Sequence, residues 1–90
     1  MLEGCVTVVN DLGLHARAAA QLVRLAGKYR SRITLRRDDS GAFANAKSIL
    51  SVLALAASIG TVLTLQVDGS DERDAFDAVT TVFADGFGEM

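Results

Sequence analysis

The sequence predicts an α+β fold: an open-faced two-layer sandwich in the order βαββαβα, with a four-stranded antiparallel sheet and three helices on one of its faces. Three observations lead there. Apolar and polar residues alternate over residues 2–9, 32–38 and 63–67, which is the period of a strand. Apolar residues recur at helical spacing from residue 16, from residue 49 and from residue 72. No proline, repeat or low-complexity tract breaks the 90 residues, so no linker is indicated and one domain over 1–90 is expected.

The first strand places Val6 and Val8 on one face and Cys5, Thr7 and Val9 on the other, and it ends in the turn composition Asn10-Asp11-Leu12-Gly13. A helix then starts close to Ala16. Its apolar stripe is Ala18, Ala19, Leu22, Leu25 and Ala26, and Arg17, Gln21, Arg24 and Lys28 recur opposite. Gly27 reads as its stop. Residues 32–38 form the next strand with Ile33 and Leu35 inward, followed by the hairpin turn Asp38-Asp39-Ser40-Gly41 and a short return strand through Phe43. Ser48 caps a short helix carrying Ile49, Leu50, Val52, Leu53 and Ala56, which Gly60 closes. Leu63, Leu65 and Val67 alternate as the last strand, and Ser70-Asp71-Glu72 opens a final helix whose core face is Phe76, Val79 and Phe83. Two strands separated by one helix cannot share a tight hairpin. They can lie parallel with a later strand between them, as a split right-handed βαβ unit.

Composition narrows the function. Half of the residues are apolar and 22% are charged, and a chain of this length buries only about 60% of its unfolded surface, leaving little room for a deep small-molecule cleft. Chemistry is therefore expected at the surface, with a protein partner completing the site. One cysteine, Cys5, and one histidine offer neither an intrachain disulfide nor a metal-ligand cluster, and no cofactor is indicated. Glu3 and Asp11 interrupt the first fifteen residues, against a secretory signal, so the cytoplasm is expected. The nearly uncharged stretch 48–61 falls short of the roughly 20 residues that span a bilayer, so no membrane insertion is expected.

The net charge of −2 is unevenly spread, with 8 basic and 4 acidic residues in 1–47 against 1 and 7 in 48–90. A basic half suits an acidic protein surface or a phosphate. No nucleic-acid partner is expected, because the basic residues are not interleaved with aromatics and the domain as a whole is acidic.

The candidate chemistry lies in Gly13-Leu14-His15-Ala16-Arg17, where the sole histidine stands immediately before a helix. The first helical amides, those of Ala16, Arg17 and Ala18, lack internal acceptors and point outward, so an anion placed there meets free donors and the positive end of the dipole. A phosphoryl group on the imidazole would be such an anion, with Arg17 able to add a charge-assisted hydrogen bond. The same positive surroundings disfavour imidazolium and keep a neutral nitrogen nucleophile available. By position alone, His15 reads equally as a plain helix cap with Arg17 a solvated charge.

The string Gly13-Leu14-His15-Ala16-Arg17 with its alanine-rich helix resembles the phosphorylation-site signature of the HPr family, and Ala46-Lys47-Ser48-Ile49-Leu50 resembles that family's second, regulatory-serine signature. The two occur in order and on the elements expected of an HPr-like fold. The resemblance implies a phosphocarrier of the bacterial phosphotransferase system rather than an enzyme. Enzyme I, charged from phosphoenolpyruvate, would phosphorylate His15 on Nδ1, and an enzyme IIA-type protein would receive the group. Arg17 would support the phosphoryl group, and Ser48 would be a site for an HPr kinase/phosphorylase where one exists. Ala18 departs from the proline common at that position.

Ile49, Leu50, Val52 and Leu53 cannot all face inward from one short helix, so they are candidate docking residues, with Arg24 and Lys28 as basic neighbours. A monomer is expected. Two other readings stay open: a nitrogen-related or purely regulatory paralogue with the same His15 chemistry, and a non-phosphorylated protein-interaction domain.

Overall fold

The structure, a computed structural model, describes residues 1–89. Its elements are β1 (Leu2–Thr7), α1 (Ala16–Ala26), β2 (Arg32–Arg37), β3 (Phe43–Asn45), α2 (Ile49–Ala54), β4 (Val62–Asp68) and α3 (Glu72–Ala84), with a 3-10 turn at Gly86–Gly88. The sheet order is β1-β4-β2-β3 with every neighbouring pair antiparallel, so β4 lies between β1 and β2 and those two run parallel. This is the split βαβ arrangement that the sequence predicts.

Alternation decides the two faces of the sheet. Val6, Ile33, Leu35, Ala44, Leu63, Leu65 and Val67 are buried on the helical side, where Ala18, Ala19, Leu22 and Ala26 of α1 and Ala75, Val79 and Phe83 of α3 complete the core. Glu3, Cys5, Thr7, Arg36, Phe43 and Asn45 are exposed on the other face. Thr64 lies on that face too, yet is buried: its hydroxyl donates to Asp38 Oδ1 at 2.6 Å and Arg36 of the neighbouring strand reaches over it. Gly4 faces α3, and a Cβ there would meet the Phe76 ring at 2.7 Å, so this strand position leaves space for the aromatic.

Several boundaries differ from the sequence expectation. Regular β1 ends at Thr7 rather than Val9, although Val8 still donates to Thr61 O at 3.0 Å. The return strand begins, rather than ends, at Phe43, because Ala44 is the residue that pairs with Leu35 and fills the core. α2 stops at Ala54, well before Gly60. The cause is Arg37, which forks bidentately onto Asp39 and donates to the carbonyls of Leu55 at 2.8 Å and Ala56 at 3.2 Å. A guanidinium at the end of α2 thus satisfies carbonyls that the next helical turn would have used, and Ala56 turns away with φ 50°. Of the predicted stripes, Leu25 and Phe76 are half-buried and the remainder are in the core.

Asp71 precedes α3 but does not cap it with its side chain. Its carboxylate instead accepts from Ser31 Oγ at 2.6 Å, Arg30 N at 2.8 Å and Ser31 N at 3.0 Å, tying the start of α3 to the turn before β2. The Ser31 hydroxyl and then the Arg30 amide hold this carboxyl down at about 2, against an ordinary value of 3.8. A carboxyl lowered by folding stabilises the fold at pH above its unfolded value and loses that contribution as pH falls toward the folded one. Urea titrations between pH 5 and 2 should therefore show wild type losing more stability than Asp71→Ala, and equal acid slopes would show the latch to be energetically idle.

Candidate functional site

The loop before α1 is closed by its own backbone. Gly13 N donates to Asn10 O at 3.1 Å, the buried Asn10 amide donates to Gly13 O at 2.9 Å, and Leu14 N donates across to Ala57 O at 2.9 Å. Gly13 has φ 69°, and a Cβ there would fall 2.5 Å from Ala57 O, so both conformation and space require glycine. The loop is thereby pressed against the segment following α2, and it delivers His15 as the N-cap of α1 in extended conformation.

The two ring nitrogens have different surroundings. Nδ1 accepts from the Arg17 backbone amide at 3.4 Å, and Nε2 contacts Glu89 Oε2. An ionised carboxylate only accepts, so Nε2 carries the proton and, in the neutral ring, Nδ1 keeps its lone pair. Glu89 Oε1 accepts from the Asn10 amide at 3.0 Å. That bond, followed by the His15 contact, holds the Glu89 carboxyl below the usual carboxylate range. The His15 side chain is 25% exposed and that of Glu89 12%, so the ring is reachable while its carboxylate partner is mostly covered.

Glu89 lies 74 residues from His15 in the chain, and sequence reasoning missed it. The device that brings it back is the 3-10 turn, in which Gly86, Phe87 and Gly88 all have positive φ of 60°, 56° and 73°. Phe87 is buried edge-on to Phe83 with ring centroids 5.0 Å apart, fixing the reversal to the end of α3. Gly-Phe-Gly after an amphipathic helix was the available signal for such a reversal, though not for its destination. The expectation of positive surroundings for His15 is corrected accordingly: a carboxylate stands at Nε2, and the helix-start amides lie on the Nδ1 side.

Among the described residues, the amides of Ala16 and Ala18 have no acceptor, and the exposed Arg17 makes no ion pair. Ala18 is fully buried, with its side chain in the core. Arg17 and Glu89 line a cleft of about 420 Å³ with Asp11, Leu12, Phe87 and Gly88. The nucleophilic nitrogen and the unpaired amides at the start of α1 lie next in the chain to Arg17, whose side chain lines this cleft, an arrangement able to receive and hold a small dianion.

Ser48 caps α2, accepting from Ser51 N at 3.4 Å. The four apolar candidates of α2 separate: Leu50 is 77% exposed and Ile49 39%, Leu53 is half-buried against the core, and Val52 is completely buried. Val52 is therefore corrected from docking residue to core residue, because it is wholly buried in the core cluster with Leu55. Arg24 and Lys28 are exposed on α1, and neither is in an ion pair among the described residues. Lys47, beside the cap, donates to Tyr29 O at 2.7 Å.

The family model for the PTS HPr component phosphorylation site matches residues 2–85. The chain belongs to the HPr family. The phosphocarrier protein HPr of Cupriavidus necator is 47% identical over 89 residues, covering 99% of this chain and 98% of its own. HPr-C-His of Thermoanaerobacter tengcongensis superposes with a TM-score of 0.92 at 38% identity, covering 100% of this chain and 99% of the other. A structure of an HPr dimer from the same organism matches with a TM-score of 0.77 at 38% identity over 99% and 100% of the two chains. Membership of the HPr family supports a phosphocarrier role in the phosphotransferase system, and the relatives are bacterial. No helix among the described residues is long and apolar enough to cross a membrane.

Proposed function

We propose that His15 accepts a phosphoryl group on Nδ1 from phosphorylated enzyme I and passes it to an enzyme IIA-type acceptor, the whole of residues 1–90 acting as one cytoplasmic carrier domain without catalytic turnover of its own. The observation that supports this reading best is the Nδ1 lone pair at the start of α1, beside the Arg17 amide, the unpaired amides of Ala16 and Ala18, and a guanidinium with no ion-pair partner among the described residues. The exposed Ile49 and Leu50 of α2, with Arg24 and Lys28 of α1, form a docking face suited to a partner that is apolar at its centre and acidic around it.

Incubation with enzyme I and radiolabelled phosphoenolpyruvate tests the reading. The carrier acquires an acid-labile, base-stable phosphate, whereas an interaction domain without phosphate chemistry acquires none. Arg17→Ala should slow transfer about 10–100-fold, the worth of one charge-assisted hydrogen bond, with an unchanged circular dichroism spectrum because the side chain is exposed. Transfer at the wild-type rate would remove Arg17 from the site.

Ser48 serves as the regulatory site in this reading. Phosphate there adds about −1.5 to −2 charges beside Ile49 and Leu50 and repels an acidic partner. Ser48→Asp is expected to raise the KM for charging by enzyme I, and equal kinetics in the two proteins would argue against electrostatic control.

A further inference from the structure

The carrier reading requires the lone pair on Nδ1 but says nothing of the proton on Nε2. We infer that Glu89 is a positioning residue for phosphoryl transfer: its carboxylate keeps that proton on Nε2 in the free and phosphorylated states, so Nδ1 receives and releases the group without any proton moving at the ring. This rests on the proposed role of His15.

The Nδ1 lone pair forms the bond to phosphorus while the bond from phosphorus to the donor atom of enzyme I breaks, its electron pair staying with the donor. The ring, still protonated on Nε2, becomes a phosphoimidazolium whose positive charge is matched by the Glu89 carboxylate. In onward transfer the P–N bond breaks and its pair returns to Nδ1, and the ring leaves as neutral imidazole with the Nε2 proton where it began. A phosphorylated ring lacking this proton would have to leave as an imidazolate, a much poorer leaving group, so the Nε2 hydrogen bond bears on onward transfer.

The surroundings of Glu89 are those of a held group. Its two oxygens are used separately, Oε1 by the Asn10 amide at 3.0 Å and Oε2 by His15. Asn10 is itself buried and fixed by its bond to Gly13 O at 2.9 Å, so the carboxylate is oriented by the same loop that orients the imidazole. Phe87, buried against Phe83, anchors the chain two residues earlier. Arg17 and Asp11 are the other charged groups lining the adjoining cleft. The Arg17 backbone amide meets Nδ1, and Glu89 holds the opposite nitrogen.

The test compares wild type, Glu89→Ala and Glu89→Gln by nuclear magnetic resonance and by transfer kinetics. In wild type the Nε2 proton should give a slowly exchanging downfield resonance before and after phosphorylation, and in Glu89→Ala that resonance should vanish. Onward transfer to an enzyme IIA-type acceptor should fall about ten-fold or more in kcat with KM held, the scale of one lost charged hydrogen bond. Glu89→Gln, which retains an acceptor oxygen but no charge, should fall between the two. Wild-type kcat in both variants, with wild type itself charged normally, would overturn the inference and leave the carrier standing. Failure of wild type to take up phosphate would instead remove the carrier reading and this inference with it.

Discussion

His15→Ala should leave a folded chain that takes up no acid-labile phosphate from charged enzyme I, a loss to the limit of detection. The effect is total because His15 is the only histidine in the sequence, and a phosphoester on serine or threonine differs from a phosphoimidazole in being stable to acid. The fold survives because His15 holds little of it. Its cap bond to Arg17 N is long at 3.4 Å, and replacing an N-cap residue by alanine costs about 0.5–2 kcal/mol. Loop closure is carried by other groups, the Asn10 amide on Gly13 O and Leu14 N on Ala57 O. Labelling followed by separate acid and base treatment is the measurement. Undiminished acid-labile label on the variant would place the acceptor elsewhere in the chain and dissolve the site assembled around Nδ1.

How much of this was legible in the sequence depended on whether the determining contacts were local. The core faces of β1, β2, β4 and α1 follow from periods of two and 3.6 residues repeated over at least six positions, enough for burial to select one phase. α2 has only six residues, less than two turns, so nothing within it chose between Leu50 and Val52; packing against the sheet did. Its end was misread for a different reason. Glycine is an ordinary stop, but Arg37, from the opposite strand of the hairpin, had already taken the carbonyls of Leu55 and Ala56. At the site, His15, Arg17 and Gly13 were legible because one short string carries their geometry. Glu89 was not, since its approach depends on consecutive left-handed residues and a buried phenylalanine that act only once α3 is docked.

Leu22→Ala should produce the converse of the histidine variant: a stability loss of about 2–5 kcal/mol with phosphoryl transfer intact well below the melting temperature. Leu22 is wholly buried in the cluster formed by α1 and the sheet, so truncation removes its transfer free energy and leaves a cavity that the surrounding elements fill only in part. Against a total of about 5–15 kcal/mol for a small domain, that is a large share. Urea denaturation should show a lower midpoint with an unchanged slope, because the surface exposed on unfolding stays nearly the same. The functional prediction follows from phase along one helix. Leu22 points into the core, while His15 and Arg17 sit at its first turn and are held by the 10–14 loop and its bonds to Ala57. A cavity near the middle of α1 therefore subtracts from the folded population without moving Nδ1. A wild-type midpoint would mean that Leu22 is not packed as described. A normal stability loss accompanied by slow transfer at low temperature would mean that the site draws its geometry from the body of α1 rather than from the loop that precedes it.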